Sequence, residues 1–297
     1  MVGMTDEQRE FFRRHGYVVL SDALGADEVA LFAELYDRDR RDHPAVWGQF
    51  GQQWVNCDAL ITSPRMDEVI RHPKVMAAAE ALMGGPLAFG EICIRHMDPY
   101  SGEPQQGWHR DKPHWLGHAL RMDYIQLMLY LSDVDESTHC FSLSPEGADE
   151  PILDKAMQLE RGGISDLHGP AGTVALFNVS VLHTATVRRT TAERRTIQVY
   201  YGHGDRPYLS NCTVVPERLW RDHEDAAVRA FYGKLNRKTR RYVQARDAGE
   251  LGDQDLVLRW CKRYDLELKQ ANNHARSESG DDDGPAAGGM EHGDMGE

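Results

Sequence analysis

The stretch 172–202, GTVALFNVSVLHTATVRRTTAERRTIQVYYG, decides the fold. It is rich in β-branched and aromatic residues and is broken by short polar turns, which is typical of successive strands. The segments LAFGEICIRH (87–96) and DYIQLMLYLSDV (123–134) have the same character. Short strands at this spacing, with no helices between them, predict an antiparallel barrel or jelly roll rather than alternating βαβ units.

Helical patterns precede the β-rich region. Thr5 and Gln8 fit a capping box at the start of a helix, and Gly16 is placed to end that helix before a short strand. The segment MDEVIRHPKVMAAAEALMG (66–84) predicts one further helix. We therefore expect a mainly β protein with flanking helices.

The domain boundaries follow from these patterns. We expect a single domain over residues 1–271, with a β core near 86–205 and helices again after Pro216. The segment 272–297 carries seven acidic residues and one arginine among small polar residues. Such a composition predicts a disordered acidic tail.

Composition excludes several classes of protein. A net charge of −13 over 297 residues disfavours nucleic-acid binding, which depends on neutralising phosphates. No apolar run approaches the roughly 20 residues of a membrane helix, and the N-terminal residues lack a signal-peptide pattern. The five cysteines are scattered, which predicts reduced, buried thiols. We expect a cytoplasmic protein that acts on a small molecule, and leave its oligomeric state open.

The pattern His-x-Asp is the first candidate for a metal site. On a strand or extended loop, residues i and i+2 project to the same side and can reach one ion. The pattern occurs five times, at His96/Asp98, His109/Asp111, His203/Asp205, His223/Asp225 and His292/Asp294. Spacing alone therefore does not identify the site.

The surroundings separate the five pairs. His292 lies in the predicted tail, His223 opens a helical pattern, and His203 is followed by turn residues. His96 is a serious rival because it ends a predicted strand. His109 has the most favourable setting, since a Gly/Pro-containing loop precedes it and a buried strand follows.

A second histidine and an arginine complete the pattern. Iron oxygenases commonly use two histidines and one carboxylate on one face of an octahedron. His183 ends a predicted strand, and Arg194 begins the next one eleven residues later. A guanidinium at that position suits the far carboxylate of a dicarboxylate co-substrate. Arg195 is the alternative if the strand register differs by one residue.

At this point the sequence resembles the phytanoyl-CoA dioxygenase-like family of Fe(II)- and 2-oxoglutarate-dependent oxygenases. The resemblance rests on FFRRHGYVVL (11–20), WHRD (108–111), GTVALFNVSVLH (172–183) and Arg194, and it spans roughly residues 8–205. It implies a double-stranded β-helix (jelly roll). It also implies that His109, Asp111 and His183 bind Fe(II), and that Arg194 binds 2-oxoglutarate.

Four positions depart from the family pattern. Ser144-Pro145-Glu146-Gly147 replaces a usual Pro-Gly-Ser-His, and Arg110 replaces a common glutamine between the ligands. Ala185 and Arg188 also differ from the residues usual at their positions. These changes leave the predicted iron ligands in place. Because Asp111 is present, halogenation, which uses a small residue there, is disfavoured.

The resemblance implies a reaction of Fe(II), 2-oxoglutarate and O2 that releases succinate and CO2. We expect oxidation, by default hydroxylation, of an unactivated C–H bond in a small polar metabolite or natural-product intermediate. Alternatives are an acyl-CoA hydroxylase of the same family, a redox-inactive jelly-roll binding protein, and a zinc hydrolase. The zinc reading does not explain Arg194.

Several nearby residues are left with open roles. Gln126, on the strand after the ligand loop, is a candidate contact for 2-oxoglutarate. His114, His118, Trp108 and Trp115 are candidates for the substrate-facing surface, or for ordinary surface and core positions.

Overall fold

The computed structural model describes residues 4–20 and 23–279, with side chains as far as residue 267. The helices are α1 (Asp6–His15), α2 (Ala26–Asp42), α3 (Ala59–Thr62), α4 (Met66–Ile70), α5 (Pro73–Met83), α6 (Lys155–Gly162), α7 (Glu217–Trp220), α8 (Ala226–Tyr232), α9 (Arg237–Asp247) and α10 (Gln254–Ser279). The strands are β1 (Tyr17–Leu20), β2 (Gly48–Phe50), β3 (Gln53–Asn56), β4 (Leu87–Met97), β5 (Tyr124–Tyr130), β6 (Cys140–Leu143), β7 (Ser165–Leu167), β8 (Val174–Asn178), β9 (His183–Thr186) and β10 (Arg194–His203).

The strands form two antiparallel sheets. The major sheet has seven strands in the order β1-β8-β5-β10-β4-β3-β2, and the minor sheet has three in the order β7-β6-β9. Isolated bridges, including His109 to His183 and Gln105 to Val187, extend the edge of the minor sheet at β9. This is the predicted jelly roll; strands β4 to β10 lie between Leu87 and His203, and β1 to β3 of the major sheet precede them in the chain.

The two faces of the major sheet have different neighbours. Alternate residues of β10, Ile197, Val199 and Tyr201, belong to a large hydrophobic core that also contains Phe32 of α2 and Val75 of α5. Because side chains of a strand alternate between faces, the residues between them turn towards the minor sheet. The helices therefore cover one face, and the other face encloses the interior between the sheets.

The helix termini largely follow the sequence. The capping box of Thr5 and Gln8 is present, and α1 ends at Gly16, whose φ of 74° is the left-handed conformation that glycine adopts without strain. The predicted helix over 66–84 is instead two helices, α4 and α5. The break falls at His72, because the residue before a proline disfavours helical geometry and Pro73 then occupies the first turn of α5.

Two further differences concern a hairpin that the sequence did not predict and the extent of the last helix. Strands β2 and β3 form a hairpin across a two-residue turn that begins with Gly51, at a φ of 57°. Helix α10 runs to Ser279, past the predicted domain boundary at 271, and residues 280–297 of the predicted tail lie outside the described residues. Among the described helices, we find none of the length and apolar character that would span a membrane.

Candidate active site

The three predicted iron ligands lie together between the two sheets. Asp111 Oδ1 is 3.4 Å from His109 Nε2 and 3.5 Å from His183 Nε2. One donor atom from each residue lies within 4.8 Å of the other two. The structure therefore brings residues from two distant segments to one point.

Backbone pairing explains this convergence. His109 and His183 exchange both hydrogen bonds of an antiparallel bridge, with N–H to carbonyl distances of 3.0 and 2.9 Å. The amide of Asp111 donates to the carbonyl of Val179 at 3.0 Å. The ligand loop is thus fixed along the segment that leads into β9.

The imidazole rings are oriented by carbonyl groups. His109 Nδ1 lies 2.8 Å from the Gly107 carbonyl, and His183 Nδ1 lies 2.8 Å from the Val181 carbonyl. A carbonyl only accepts hydrogen bonds, so each Nδ1 carries the proton and each Nε2 offers a lone pair. Burial lowers the pKa of His109, but the adjacent carboxylate of Asp111 outweighs it and raises the pKa overall.

Tyr200 holds the second oxygen of the carboxylate. Its hydroxyl, on β10, donates to Asp111 Oδ2 at 3.1 Å. Burial raises the pKa of Tyr200 well above its usual value, so the hydroxyl keeps its proton and remains a donor. Tyr200 leaves Asp111 Oδ1 directed at the two histidines. The sequence did not identify this residue.

The donor set fits a non-haem iron ion. Two neutral imidazole nitrogens and one carboxylate oxygen are the ligands of the 2-His-1-carboxylate site, which leaves positions open for co-substrate and O2. In the described structure His109 Nε2 is buried without a hydrogen-bond partner. A buried, unsatisfied nitrogen is costly unless it binds something, and a cation at this point would satisfy it.

Arg194 and His183 line the same narrow cavity. The cavity is bounded by residues of both sheets. It is lined by Gln53, Arg95, Gln126, Phe141, His183, Ala185, Arg194, Gln198 and Tyr200. One predicted iron ligand, His183, and the predicted co-substrate arginine thus line the same space.

Arg194 is buried, with 1% of its surface exposed. Its Nε and Nη1 atoms have no hydrogen-bond partner among the described residues, and no described carboxylate forms an ion pair with it. Burial lowers the pKa of Arg194. A buried guanidinium without an anion is unfavourable by itself, so the cavity is suited to a ligand that carries a carboxylate.

Arg195 occupies the opposite face of β10. Its guanidinium contacts Asp37 of α2 at 2.9 Å, and its side chain is 23% exposed. The alternation of strand residues thus turns Arg194 into the cavity and Arg195 out of it. The alternative register therefore does not apply.

Gln126 lines the cavity as the sequence suggested, and it donates to Gln198 Oε1 at 2.8 Å. The sequence missed Gln53, Arg95 and Gln198, which line the same space. A signal for Arg95 was available, because a charged residue inside the apolar segment ICIRH has to face either solvent or a polar interior. No comparable signal marked Gln53 or Gln198.

The other His-x-Asp pairs in the described residues make contacts of other kinds. His96 Nε2 contacts Asp98 at 3.0 Å while its Nδ1 faces the hydroxyl of Tyr36. Asp225 caps α8, as expected of that pair. His292 lies outside the described residues. His203 packs its ring against Trp115 at 5.3 Å and against His118 at the same distance, so it forms an aromatic cluster.

The residues with open roles lie around the ligand loop rather than at the metal position. His114 Nε2 contacts Glu146 at 3.2 Å, and His118 Nε2 lies 3.1 Å from the Met83 carbonyl. Trp108 Nε1 donates to Gln106, and the ring of Trp115 stacks on His118. None of the five cysteines forms a disulfide and all are buried, in agreement with the prediction.

Comparison with known proteins agrees with this geometry. Residues 12–196 match the family described as phytanoyl-CoA dioxygenase (PhyH). The ectoine dioxygenase of Stutzerimonas stutzeri (strain A1501) is 25% identical over 66% of this chain and 76% of its own length. The L-proline trans-4-hydroxylase of Streptomyces griseoviridis is 23% identical over 63% of this chain and 81% of its own.

A solved structure shows the same fold. The non-haem alpha-ketoglutarate-dependent carbocyclase SnoK from nogalamycin biosynthesis superposes with a TM-score of 0.59 at 20% identity. The superposition covers 69% of this chain and 86% of SnoK. The protein belongs to the phytanoyl-CoA dioxygenase (PhyH) family and is a non-haem Fe(II)- and 2-oxoglutarate-dependent dioxygenase.

Proposed function

We propose that His109, Asp111 and His183 bind the Fe(II) ion, and that Arg194 binds the far carboxylate of 2-oxoglutarate. One observation carries this assignment: a buried guanidinium without an anion shares a narrow cavity with His183, whose ligand atom converges with those of His109 and Asp111. A zinc hydrolase would need the three ligands but not Arg194. A binding protein would not need the iron ligands.

The residues around the cavity prepare it for this chemistry. Fe(II) bound there supplies activation of O2, coupled to the conversion of 2-oxoglutarate into succinate and CO2. Phe141 and Phe177 pack their rings against His183 at 5.4 and 5.1 Å, which fixes the ring and keeps water from that side. Gln126 lies in the cavity wall, which supports its proposed contact with the co-substrate.

For the substrate, we propose a small polar metabolite or natural-product intermediate that is hydroxylated at an unactivated C–H bond. Two relatives support this class, since one is named for ectoine and the other for L-proline. Acyl-CoA is the second candidate, supported by the description of the family. The cytoplasmic location expected from the sequence stays a prediction.

The test is substrate-dependent release of succinate. Purified protein with Fe(II) and 2-oxoglutarate is screened against zwitterionic amino acids, ectoine-like compounds, natural-product intermediates and an acyl-CoA. Mass spectrometry then looks for the gain of one oxygen atom in the product. We expect stimulation by a small polar compound and none in the Asp111→Ala variant. Stimulation by the acyl-CoA alone would favour the second candidate.

A further inference from the structure

Arg110 lies between the two iron ligands of the loop, and its side chain is largely buried. Its Nη1 atom donates to the carboxylate of Glu146 and to the carbonyl of Ser180. A second nitrogen lies 3.4 Å from the carbonyl of Leu153. One guanidinium therefore ties the ligand loop to two other segments of the chain.

Glu146 is the acidic partner of Arg110 in a buried ion pair. Its side chain is 1% exposed, and its two oxygens contact Arg110 and His114. Its amide donates to the carbonyl of His15, at the end of α1, at 3.2 Å. Two of the positions that depart from the family pattern, 110 and 146, thus contact each other directly.

The carbonyl groups of Val179–Val181 connect this ion pair to the iron ligands. Val179 accepts from the amide of Asp111 at 3.0 Å, and Val181 accepts from His183 Nδ1 at 2.8 Å. The carbonyl between them, that of Ser180, accepts from Arg110. Three successive carbonyls therefore accept hydrogen bonds from Asp111, Arg110 and His183. A shift of this segment would displace both proposed iron ligands.

We propose that Glu146 is a positioning residue for the iron site and that it acts through Arg110. This inference rests on the proposed ligand assignment. Glu146 contributes in two ways. It fixes Arg110 against Ser180, and it neutralises a buried positive charge that would otherwise repel a divalent cation nearby.

The experiment is an anaerobic titration of metal-free protein with Fe(II), in which calorimetry measures the binding affinity. This readout does not depend on turnover. Glu146→Gln removes the charge and keeps the shape. Outer residues that orient metal ligands change metal affinity by about 10- to 100-fold, and we expect a loss in that range. Arg110→Gln is expected to weaken Fe(II) binding as well.

The double variant tests whether the two residues act as a unit. If Glu146 acts through Arg110, Arg110→Gln combined with Glu146→Gln loses no more affinity than the more affected single variant. If the affinity losses of the two single variants multiply in the double variant, the two residues act independently and the proposal is overturned. Arg110→Gln and the double variant also keep the proposal testable if Glu146→Gln does not fold.

Glu217→Gln is the matched control. Glu217 is a buried glutamate that pairs with Arg246 in the C-terminal helices, so the same chemical change is made away from the ligand loop. We expect it to lower the melting temperature and to leave Fe(II) affinity unchanged. The proposal is overturned if Glu146→Gln behaves in the same way, within twofold of the unaltered protein in affinity.

The outcomes separate this inference from the iron-site assignment. If the unaltered protein binds no Fe(II), or binds it equally after His183→Ala, then the assignment itself fails. If binding requires His183 but is indifferent to Glu146, then only the positioning role fails.

Discussion

Arg194 and Lys238 are both buried cations, but their surroundings are opposite. Lys238 donates to Asp58 at 2.6 Å and also to Asp265 and the carbonyl of Cys212. Arg194 has two nitrogens without a partner in the part of the chain that the structure describes. One cation is fully paired within the protein, and the other faces a cavity.

The pKa values of the two groups reflect this difference. Burial lowers the pKa of Lys238, but the charges of Asp58 and Asp265 outweigh it and raise the pKa well above its usual value. At Arg194 burial dominates, and its pKa is lowered. A buried charge is tolerated when it is paired, so the paired lysine indicates structure and the unpaired arginine indicates a ligand.

Replacing Lys238 is expected to have the largest effect on folding. Lys238→Met leaves Asp58 and Asp265 close together without a cation, and removing one member of a buried pair costs about 3–5 kcal/mol. Denaturant unfolding measures this loss. The folded variant should bind 2-oxoglutarate as before. A loss below about 1 kcal/mol would contradict the assignment of Lys238 as structural.

Replacing Arg194 is expected to affect ligand binding instead. Arg194→Met should weaken 2-oxoglutarate binding by about 2–5 kcal/mol, which is roughly 30- to several thousand-fold. It should not lower the stability of the ligand-free protein, because it removes an unpaired buried charge. Calorimetry on the metal-loaded protein under anaerobic conditions measures the affinity.

Arg195→Met is the control for this prediction. Arg195 is adjacent in the sequence and lies on the outer face of β10, where it pairs with Asp37. We expect no change in 2-oxoglutarate affinity. Equal losses of 2-oxoglutarate affinity in Arg194→Met and Arg195→Met would show that a position in the cavity does not determine binding.

Glu91 gives a smaller, pH-dependent effect. It is fully buried on β4, and burial raises its pKa from 4.5 to about 7. Between these two values the folded protein holds a proton that the unfolded chain releases, so stability falls as the pH rises from about 4.5 to about 7. At about 1.4 kcal/mol per pKa unit, the decrease is at most about 3.5 kcal/mol.

Glu91→Gln tests the sign of this effect. The variant should lack the decrease, so its stability relative to the unaltered metal-free protein should improve between pH 5 and pH 8. Denaturant unfolding at the two pH values is the measurement. A relative stability that is the same at both values would mean that Glu91 does not titrate in this range.

Gln126 is expected to give the smallest effect. Gln126→Leu removes an amide from the cavity wall, and a neutral hydrogen bond contributes about 0.5–1.5 kcal/mol. We expect 2-oxoglutarate affinity to fall by up to about tenfold. Met128→Leu, on the same strand, is the control and should leave affinity unchanged. Equal affinities in both variants would exclude a contact between Gln126 and the co-substrate.

Local sequence patterns and long-range packing differ in how far they could be predicted. His109, Asp111, His183 and Arg194 could be proposed because their motifs and order resemble the family pattern, and the jelly roll followed from the strand pattern. Tyr200 was missed because its contact with Asp111 depends on how separate segments pack across the interior.

Long-range pairing also explains the remaining omissions. Glu146 and Arg110 are far apart in the chain, so the sequence shows them only as two separate departures from the family pattern and does not show that they form an ion pair. The hairpin of β2 and β3 was missed because its strands are short and of mixed polarity. Local patterns therefore predicted most of the elements and the proposed ligands, and tertiary packing determined the residues that contact them.

The central claim is that His109, Asp111 and His183 bind iron beside the cavity that His183 and Arg194 line. Anaerobic titration of the protein with Fe(II) and 2-oxoglutarate tests it most directly, by the weak visible charge-transfer band of the iron–2-oxoglutarate chelate. We predict a band that saturates at one Fe(II) per chain and is absent in His109→Ala. Absence of the band in folded, unaltered protein, or its persistence in His109→Ala, would contradict the claim.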